Sequence, residues 1–167
     1  MKETLRTKLL RWSLNLFPAY FATGARITAM SGNLREVDVK LPRNWRTRNS
    51  GGTISGGSMY AAIEPIHARM LSENLGSDYV VSETAATIRF RQPGRKTLYA
   101  RFVLGPEEIE YIETMLEASS CIELDYLVDL TDENGEVHAS VEKTLHVQRK
   151  NRHEVGAGAL QELGQTV

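Results

Sequence analysis

The first apolar pattern along the chain has the period of a helix. In residues 2–17 the large apolar side chains fall at positions i, i+4, i+7 and i+11, namely Leu5, Leu9, Trp12 and Leu16. Leu10, Leu14 and Phe17 widen this stripe, and Pro18 ends the helix. Four basic residues lie outside the stripe: Lys2, Arg6, Lys8 and Arg11. The pattern fits a helix packed on the edge of a sheet, and it also fits a transit peptide or a membrane-surface helix.

Alternation of apolar and polar positions predicts six strands. Arg26–Met30 and Glu36–Leu41 form a hairpin, and later strands are predicted at residues 79–91, 96–104, 121–130 and 136–149. A long helix is predicted from about residue 55 to the stop at Gly76, and a short one from Pro106 to about residue 118. This order predicts one α+β domain over residues 1–150, in which a curved antiparallel sheet wraps around the long helix. The glycine-rich residues 151–167 are predicted to be a flexible tail.

The predicted long helix carries two neighbouring stripes. One stripe is apolar and should face the sheet: Met59, Ile63, Ile66 and Met70. The other has three polar members out of four: Tyr60, Glu64, His67 and Leu71. Because a helix wrapped by a sheet has little free surface, we expect the second stripe to meet a second subunit rather than solvent. Pro65 removes the N–H that would bond the Ala61 carbonyl, which predicts a bend beside Glu64.

Composition narrows the classes of partner and compartment. The chain has 167 residues, enough for one domain with a sizeable core, and 20 basic against 21 acidic residues give a net charge of −1. Such a balance provides no overall field for nucleic acid, so we expect none as a partner. The single Cys121 cannot form an internal disulfide and is predicted to be a buried, inert thiol in a cytoplasmic protein. No run of about 18 apolar residues occurs, so no stable membrane insertion is expected.

Candidate chemistry is concentrated in residues 49–64. They read N-S-G-G-T-I-S-G-G-S-M-Y-A-A-I-E, a glycine-rich turn leading into the long helix, with the Glu64 carboxylate about two turns inside it. A helix N-terminus presents free N–H groups, and glycine lets a substrate approach them without an obstructing Cβ. Gly56 and Gly57 meet that need. The layout indicates an acyl-thioester site, although a glycine pair also occurs in ordinary loop-to-helix turns.

The spacing resembles the signature of the hot-dog-fold acyl-CoA thioesterases: Asn49, Gly52-Thr53, Gly56-Gly57, and Glu64 seven residues after the second glycine. The neighbouring segments L-N-L-F-P, L-P-R-N-W-R-T-R-N and I-R-F-R-Q-P-G look most like a domain-of-unknown-function branch of that superfamily. The resemblance covers residues 14–149 and begins inside the first helix, which favours a helix packed on the sheet. It implies the hot-dog fold, with a homodimer as the minimum assembly and a homotetramer as a further possibility.

The resemblance also implies roles for individual residues. In this family the site is built between two protomers, so Glu64 of one chain would face the glycine turn of the other. Glu64 would be a general base toward water or a nucleophile that forms a mixed anhydride, and the Gly57 N–H would polarise the carbonyl. Asn49 would hold the attacking water or orient the carbonyl. Further substrate contacts are implied for Gly56, Thr53, Ser82 and Thr84.

Most of these residues have a structural alternative. Glu64 could pair with His67 or lie on a solvated helix face, Asn49 could form the turn, and Thr53 and Ser55 could cap the helix. Many relatives have His immediately before the two glycines, whereas this chain has Ser55 there, so any role of that imidazole is absent. We expect no metal, because the four histidines lack the spacing of metal ligands: His67, His138, His146 and His153.

Coenzyme A carries phosphates, and two basic clusters could contact them. The first lies in the loop before the glycines: Arg43, Arg46 and Arg48. The second surrounds Pro93-Gly94: Arg89, Arg91, Arg95 and Lys96. Ordinary solvated charge is the alternative for both clusters.

Three functions remain open at this point. The first is a hydrolase acting on an acyl-CoA or acyl-carrier-protein thioester, with coenzyme A present only as part of the substrate and no separate cofactor. The second is a non-catalytic module that binds an acyl-CoA or a fatty-acyl group, and the third is a dimeric structural protein. The sequence does not define the acyl chain, because the tunnel depends on which side chains meet across the interface.

Overall fold

The structure is a computed structural model that describes residues 2–150. The predicted tail, residues 151–167, lies outside the described residues. The described chain contains, in order, α1 (Leu5–Leu16), α2 (Pro18–Thr23), β1 (Arg26–Met30), β2 (Glu36–Leu41), α3 (Gly56–Leu75), β3 (Tyr79–Phe90), β4 (Leu98–Val103), α4 (Pro106–Ala118), β5 (Cys121–Thr131) and β6 (Val137–Arg149). The six predicted strands and the long and short helices are confirmed, with ends that differ by a few residues. The helix α2 was not predicted.

Local capping explains the two N-terminal helices. The Thr7 N–H donates to the Thr4 hydroxyl at 3.2 Å and the Thr4 N–H donates to the Thr7 hydroxyl at 3.0 Å, which forms a capping box for α1. Pro18 ends α1 as predicted. It also begins α2, because its fixed φ suits the first position of a helix, where no N–H bond is required.

The six strands form one antiparallel sheet in the order β1-β2-β4-β5-β6-β3, so β1 and β3 are its edges. The β1 edge is covered by the N-terminal segment. The Asn15 side chain donates to the Ile27 carbonyl at 2.9 Å and accepts from the Ile27 N–H at 2.8 Å, and a Glu3 carboxylate oxygen accepts from the Met30 N–H at 3.0 Å. On its inner side β3 pairs with β6, and within residues 2–150 no strand pairs with its outer side. An uncovered edge of this length is a template for pairing with another chain.

The core lies between the sheet and α3. The predicted inward stripe of α3 is confirmed, since Met59, Ile63, Ile66 and Met70 are all buried. The expectation for the neighbouring stripe is wrong in two of four positions, because His67 and Leu71 are buried within their own chain. The imidazole of His67 stacks on Tyr126 and meets the edge of Phe102. Only Tyr60 and Glu64 of that stripe reach the surface.

Two further expectations about burial are corrected. Cys121 is exposed at the start of β5 rather than buried, because the strand register turns its side chain outward. Of the predicted apolar stripe of α1, Leu10 and Leu14 pack against the core together with the buried Thr7, whereas the other members face solvent: Leu5, Leu9, Trp12, Leu16 and Phe17. No helix among the described residues is both long and apolar enough to cross a membrane.

Candidate active site

The two glycines at the start of α3 differ in the space around them. The Ser58 N–H donates to the Ser55 hydroxyl at 3.1 Å, so Ser55 caps the helix, as one of the alternatives anticipated. A Cβ on Gly56 would stand 2.6 Å from Cζ of Phe90, so this glycine makes room for an aromatic ring. Around Gly57 no atom lies within 4 Å of the position of a Cβ. The N–H of Gly57 belongs to the first turn, which has no partner inside the helix. Gly57 is therefore the accessible donor of the pair.

The side chain of Asn49 holds the turn before α3. The Thr53 N–H donates to the Asn49 amide oxygen at 3.2 Å, and the Asn49 amide nitrogen donates to the Thr53 hydroxyl at 3.0 Å. Both residues line a shallow groove of about 360 Å³ together with Gly56 and Arg91. The structure thus brings four of the candidate residues together at the mouth of the helix. In this single chain the side-chain amide of Asn49 stabilises the turn before α3.

Glu64 lies further along α3 and its side chain is exposed. Among the described residues it forms no ion pair with His67, so the anticipated pairing is not formed. The helix rise of about 1.5 Å per residue places the backbone of Glu64 about 10 Å from that of Gly57. This separation is compatible with the expectation that the two groups of one site come from different copies of the chain.

Beside Glu64 opens an apolar chamber of about 340 Å³. Its walls come from α1, α2, the β1–β2 hairpin and α3, and they are mainly hydrocarbon: Leu14, Phe17, Tyr20, Ile27, Met30, Leu34, Val37, Pro65, Ile66, Ala68 and Met70. The polar members of the lining, Glu64, Arg69 and Ser72, all belong to α3. A chamber with apolar walls and a few polar groups on one side suits a ligand with an apolar chain and a polar head.

A buried ion pair supports the helix at Glu64, and the sequence interpretation missed it. The Lys143 side chain has no exposed surface; its ammonium donates to the Glu83 carboxylate at 2.6 Å and to the main-chain carbonyl of Glu64 at 2.5 Å. The Tyr60 hydroxyl donates to the other oxygen of Glu83. Burial first, then the bond to Glu83 and the charges of Glu83 and Glu64, raise the pKa of Tyr60 above its usual value.

The strand pattern contained a signal for this lysine. In β6 the inward positions alternate through Val141, Lys143, Leu145 and Val147. A lysine in the inward register of a strand must find a buried partner, because an unpaired buried charge is costly.

The histidine nearest to this pair is neutral. Burial, and secondarily the charge of Lys143, lower the pKa of His67 to about 3. Its Nδ1 is buried without a hydrogen-bond partner among the described residues. An imidazole with so low a pKa does not serve as a proton acceptor at neutral pH. Glu64 is therefore the ionisable side chain of this stripe that is available for proton transfer.

The remaining candidate residues are spread over two surfaces. Ser82 and Thr84 are exposed on β3, where the Thr84 hydroxyl donates to the Thr144 carbonyl at 3.3 Å. Arg89 pairs with Glu142, and Arg91 is exposed just beyond the end of β3. These residues line the outer side of the sheet edge.

The arginines of the loop before the glycines are differently engaged. The Arg46 guanidinium lies over the Phe21 ring at 4.4 Å and donates to the Phe21 carbonyl at 3.2 Å. Arg48 is exposed and forms a backbone bridge to Ile54. Arg95 lines a separate shallow surface with Arg43 and Lys96. The predicted basic residues therefore do not form one continuous rim in the single chain.

The described residues contain one group with the composition of a metal site. Ligand atoms of Asp132, Glu136 and His138 lie within 4.8 Å of one another in the β5–β6 turn. One oxygen of Asp132 accepts from the N–H groups of Asn134 and Glu136, at 2.8 Å and 3.1 Å, and Glu136 accepts from Gln92 at 2.7 Å. The Asp132 carboxylate thus already stabilises the turn, and the Glu136 carboxylate connects it to Gln92 beyond the end of β3. The expectation of a metal-free protein stays a prediction.

A family model for a domain of unknown function, DUF4442, matches residues 6–147 of the chain. The chain belongs to this family. The DUF4442 match covers α1 except its first residue, α2, the glycine turn, α3 and the sheet except the last two residues of β6. A comparison with curated proteins gave no match.

Solved structures share the fold of this DUF4442 chain. A Pseudomonas aeruginosa protein of unknown function, described as a probable thioesterase, superposes with a TM-score of 0.77 at 21% identity over 89% of this chain and 99% of its own. A thioesterase from Haemophilus influenzae gives a TM-score of 0.63 at 20% identity over 92% of this chain and 96% of its own. A protein of unknown function from Chlorobaculum tepidum gives a TM-score of 0.69 at 13% identity over 86% of this chain and 94% of its own. Identities this low establish the fold alone. The predicted hot-dog fold is confirmed.

Proposed function

We propose that this protein is a thioester hydrolase that acts on an acyl-CoA or acyl-carrier-protein thioester at a site shared by two copies of the chain. The observation that carries the proposal is the position of Glu64, an exposed carboxylate on the polar side of an apolar chamber of about 340 Å³. The hot-dog fold shared with thioesterase-named structures supports it. A cytoplasmic location belongs to the same proposal.

The proposed chemistry assigns a role to each part of the site. In one route Glu64 takes a proton from the water that attacks the thioester carbonyl; the C–S bond then breaks, and the coenzyme A or carrier thiolate leaves and is protonated. In the other route Glu64 attacks the carbonyl itself and expels the thiolate, and water then hydrolyses the mixed anhydride to release the acid and regenerate the carboxylate. The Gly57 N–H, at the positive end of the helix dipole, stabilises the oxyanion. The acyl chain extends into the chamber, where each buried methylene contributes about 0.8 kcal/mol.

Two features support a homodimer as the active unit, with a homotetramer as a possible higher assembly. The backbones of Glu64 and Gly57 lie about 10 Å apart along one helix, and in the proposed site a second α3 supplies one of the two groups. The outer edge of β3 lacks a strand partner within residues 2–150 and exposes the small side chains of Ala85, Ala86 and Thr87. Pairing of two β3 edges about a two-fold axis would extend the sheet and bring the two α3 helices side by side.

A second candidate function, a non-catalytic acyl-binding module, is favoured by the chamber alone. Such a protein would use the apolar walls and would not depend on the Glu64 carboxylate. The two functions differ in what Glu64→Gln changes, because this substitution keeps the shape of the side chain and removes its charge.

The test is turnover of a panel of acyl-CoAs of increasing chain length, followed with a thiol-trapping reagent. We expect Glu64→Gln and Glu64→Ala to lower kcat by at least about a hundredfold while the melting temperature stays near that of the parent, because the Glu64 carboxylate is exposed and forms no ion pair or hydrogen bond among the described residues. Glu113→Gln, an exposed carboxylate on α4, is the matched control and should retain full turnover. Ligand-dependent melting without turnover would support the acyl-binding module. If neither turnover nor ligand-dependent melting is observed, the structural-protein alternative remains.

A further inference from the structure

The helix α1 leaves four large apolar side chains in solvent. Leu5, Leu9, Trp12 and Leu16 are between 60% and 75% exposed and form one stripe by helical spacing. Immediately after them, Phe17 is 60% exposed and Phe21 in α2 is 51% exposed. We call these six side chains the apolar stripe. A continuous apolar surface of this kind marks an interaction site, because the hydrophobic effect opposes its contact with water.

The charged side chains that residues 4–35 themselves carry are all basic. Residues 4–35 contain no aspartate or glutamate, although the chain as a whole has one more acidic than basic residue. Among the described residues Arg6 pairs with Glu73 and Arg11 with Glu3, while Lys8 and Arg26 are exposed and form no ion pair. Helical spacing puts Lys8 at the border of the stripe, between Leu5 and Trp12. The partner of this surface should therefore be apolar with an anionic boundary.

Aromatic side chains with neighbouring cations continue this surface beyond α1. The Arg46 guanidinium covers the exposed Phe21 ring, and the adjacent Trp45 is 80% exposed. Aromatic rings beside Arg or Lys are the side chains that favour the interface between lipid headgroups and acyl chains.

We propose that α1 and α2 dock this protein on the surface of an anionic lipid bilayer, with the apolar stripe in the headgroup region and no segment crossing the membrane. A second copy of the chain fits this surface less well. In a two-fold interface between two such stripes, Lys8 would meet a segment of the partner, residues 4–35, that has no acidic side chain, whereas anionic lipid neutralises this cation.

The docked orientation gives the chamber access to lipid. Phe17 belongs both to the apolar stripe and to the chamber lining, so the chamber lies directly beneath the docking surface. An amphipathic ligand dissolved in the bilayer could then enter without passing through water. The docking itself does not depend on the thioester hydrolase proposal.

Vesicle co-sedimentation tests the docking. We expect binding to vesicles of phosphatidylcholine mixed with phosphatidylglycerol, weak binding to phosphatidylcholine alone, and a decrease in binding as salt is added. In a Trp45→Phe background Trp12 is the remaining tryptophan, and its emission should shift to the blue and be quenched by brominated lipid. The double variant Leu9→Ser/Trp12→Ser should bind anionic vesicles at least about tenfold more weakly than the parent. Lys8→Glu should lose mainly the part of the binding that depends on anionic lipid.

The matched control is Tyr111→Ser, which removes an exposed aromatic side chain from the acidic helix α4 and should bind like the parent. Unchanged far-ultraviolet circular dichroism and melting temperature check the fold of each variant. No binding to anionic vesicles would overturn the proposal. A variant Leu9→Ser/Trp12→Ser that lowers the oligomer mass in light scattering while vesicle binding stays unchanged would also overturn it, because the stripe would then be an interface between copies.

Discussion

Lys143 shows how one residue connects the core with the candidate catalytic side chain. Its ammonium joins β6 to β3 through Glu83 and to α3 through the Glu64 carbonyl. With Pro65 following Glu64, this part of α3 lacks one helical hydrogen bond, and the lysine provides a polar contact at the same turn. We interpret Lys143 as a positioning residue, because it acts on the main chain of Glu64 and not on a substrate.

We predict that Lys143→Met strongly destabilises the protein. The substitution leaves the Glu83 carboxylate, whose side chain is 16% exposed, without its cation, and breaking a buried pair costs about 3–5 kcal/mol. Urea unfolding should show this loss, and Lys143→Met/Glu83→Gln should recover part of it because the unpaired charge is gone. Lys96→Met removes the cation of an exposed pair with Glu133 and should unfold like the parent. Equal stability of Lys143→Met and Lys96→Met would contradict the interpretation.

At the scale of elements, the N-terminus of α3 is the part best suited to polarise a carbonyl. Its cap comes from Ser55, its first glycine admits Phe90, and its second glycine stays open. Each glycine thus has a separate physical reason, close packing for Gly56 and access for Gly57. The groove beside them is lined by Asn49 and Arg91, among other residues.

A pair of substitutions at Gly57 separates the N–H from the space around it. Proline is tolerated in the first turn of a helix but has no N–H, so we expect Gly57→Pro to lower kcat by about 10²–10³ if that group stabilises the oxyanion. Gly57→Ala keeps the N–H in a place with no atom within 4 Å, and its kcat should stay within about tenfold of the parent. Thermal melting controls for folding. Similar losses in both variants would point to steric blocking and not to the missing donor.

At the scale of the whole molecule, the two edge strands of the sheet differ in whether other parts of the chain cover their backbone groups. Asn15 and Glu3 satisfy backbone groups of β1, while the outer edge of β3 has no such cover within residues 2–150. The proposed site combines Glu64 and Gly57 from two α3 helices, and pairing at the β3 edge is the contact proposed to bring these helices together. Assembly would then be a condition for catalysis and not only for stability.

Subunit mixing tests whether the site is shared. A heterodimer of Glu64→Gln and Gly57→Pro chains has one site in which both groups are mutated and one in which both are intact. Random exchange of equal amounts of the two inactive proteins should therefore restore about a quarter of the parental turnover. Turnover is measured before and after exchange under mild denaturant, with each variant alone treated identically. A mixture that stays inactive after confirmed exchange would place both groups in the same chain.

Local sequence patterns predicted some features of the fold and of the candidate site, and they did not predict others. Helical spacing correctly placed Met59, Ile63, Ile66 and Met70 in the core, and Pro18 correctly ended α1, because both depend on neighbours within a few residues. The motif around Gly57 and Glu64 likewise predicted a helix start and a carboxylate inside the helix. Spacing did not show that His67 is buried between Tyr126 and Phe102, since those rings come from distant strands.

The sequence by itself determined the order of the six strands, the long helix and the short helix, and the inward stripe of α3, because periodicity and turn chemistry act over short stretches of chain; the resemblance of its motif to a known family indicated the hot-dog fold. Tertiary structure decided which face of α1 is buried: the bonds between Asn15 and Ile27 hold its less apolar face on the sheet and leave Leu9 and Trp12 in solvent. It also decided that Lys143 meets Glu83 and the Glu64 carbonyl. Contacts between residues far apart in the chain depend on how whole elements pack, and no local spacing encodes that packing.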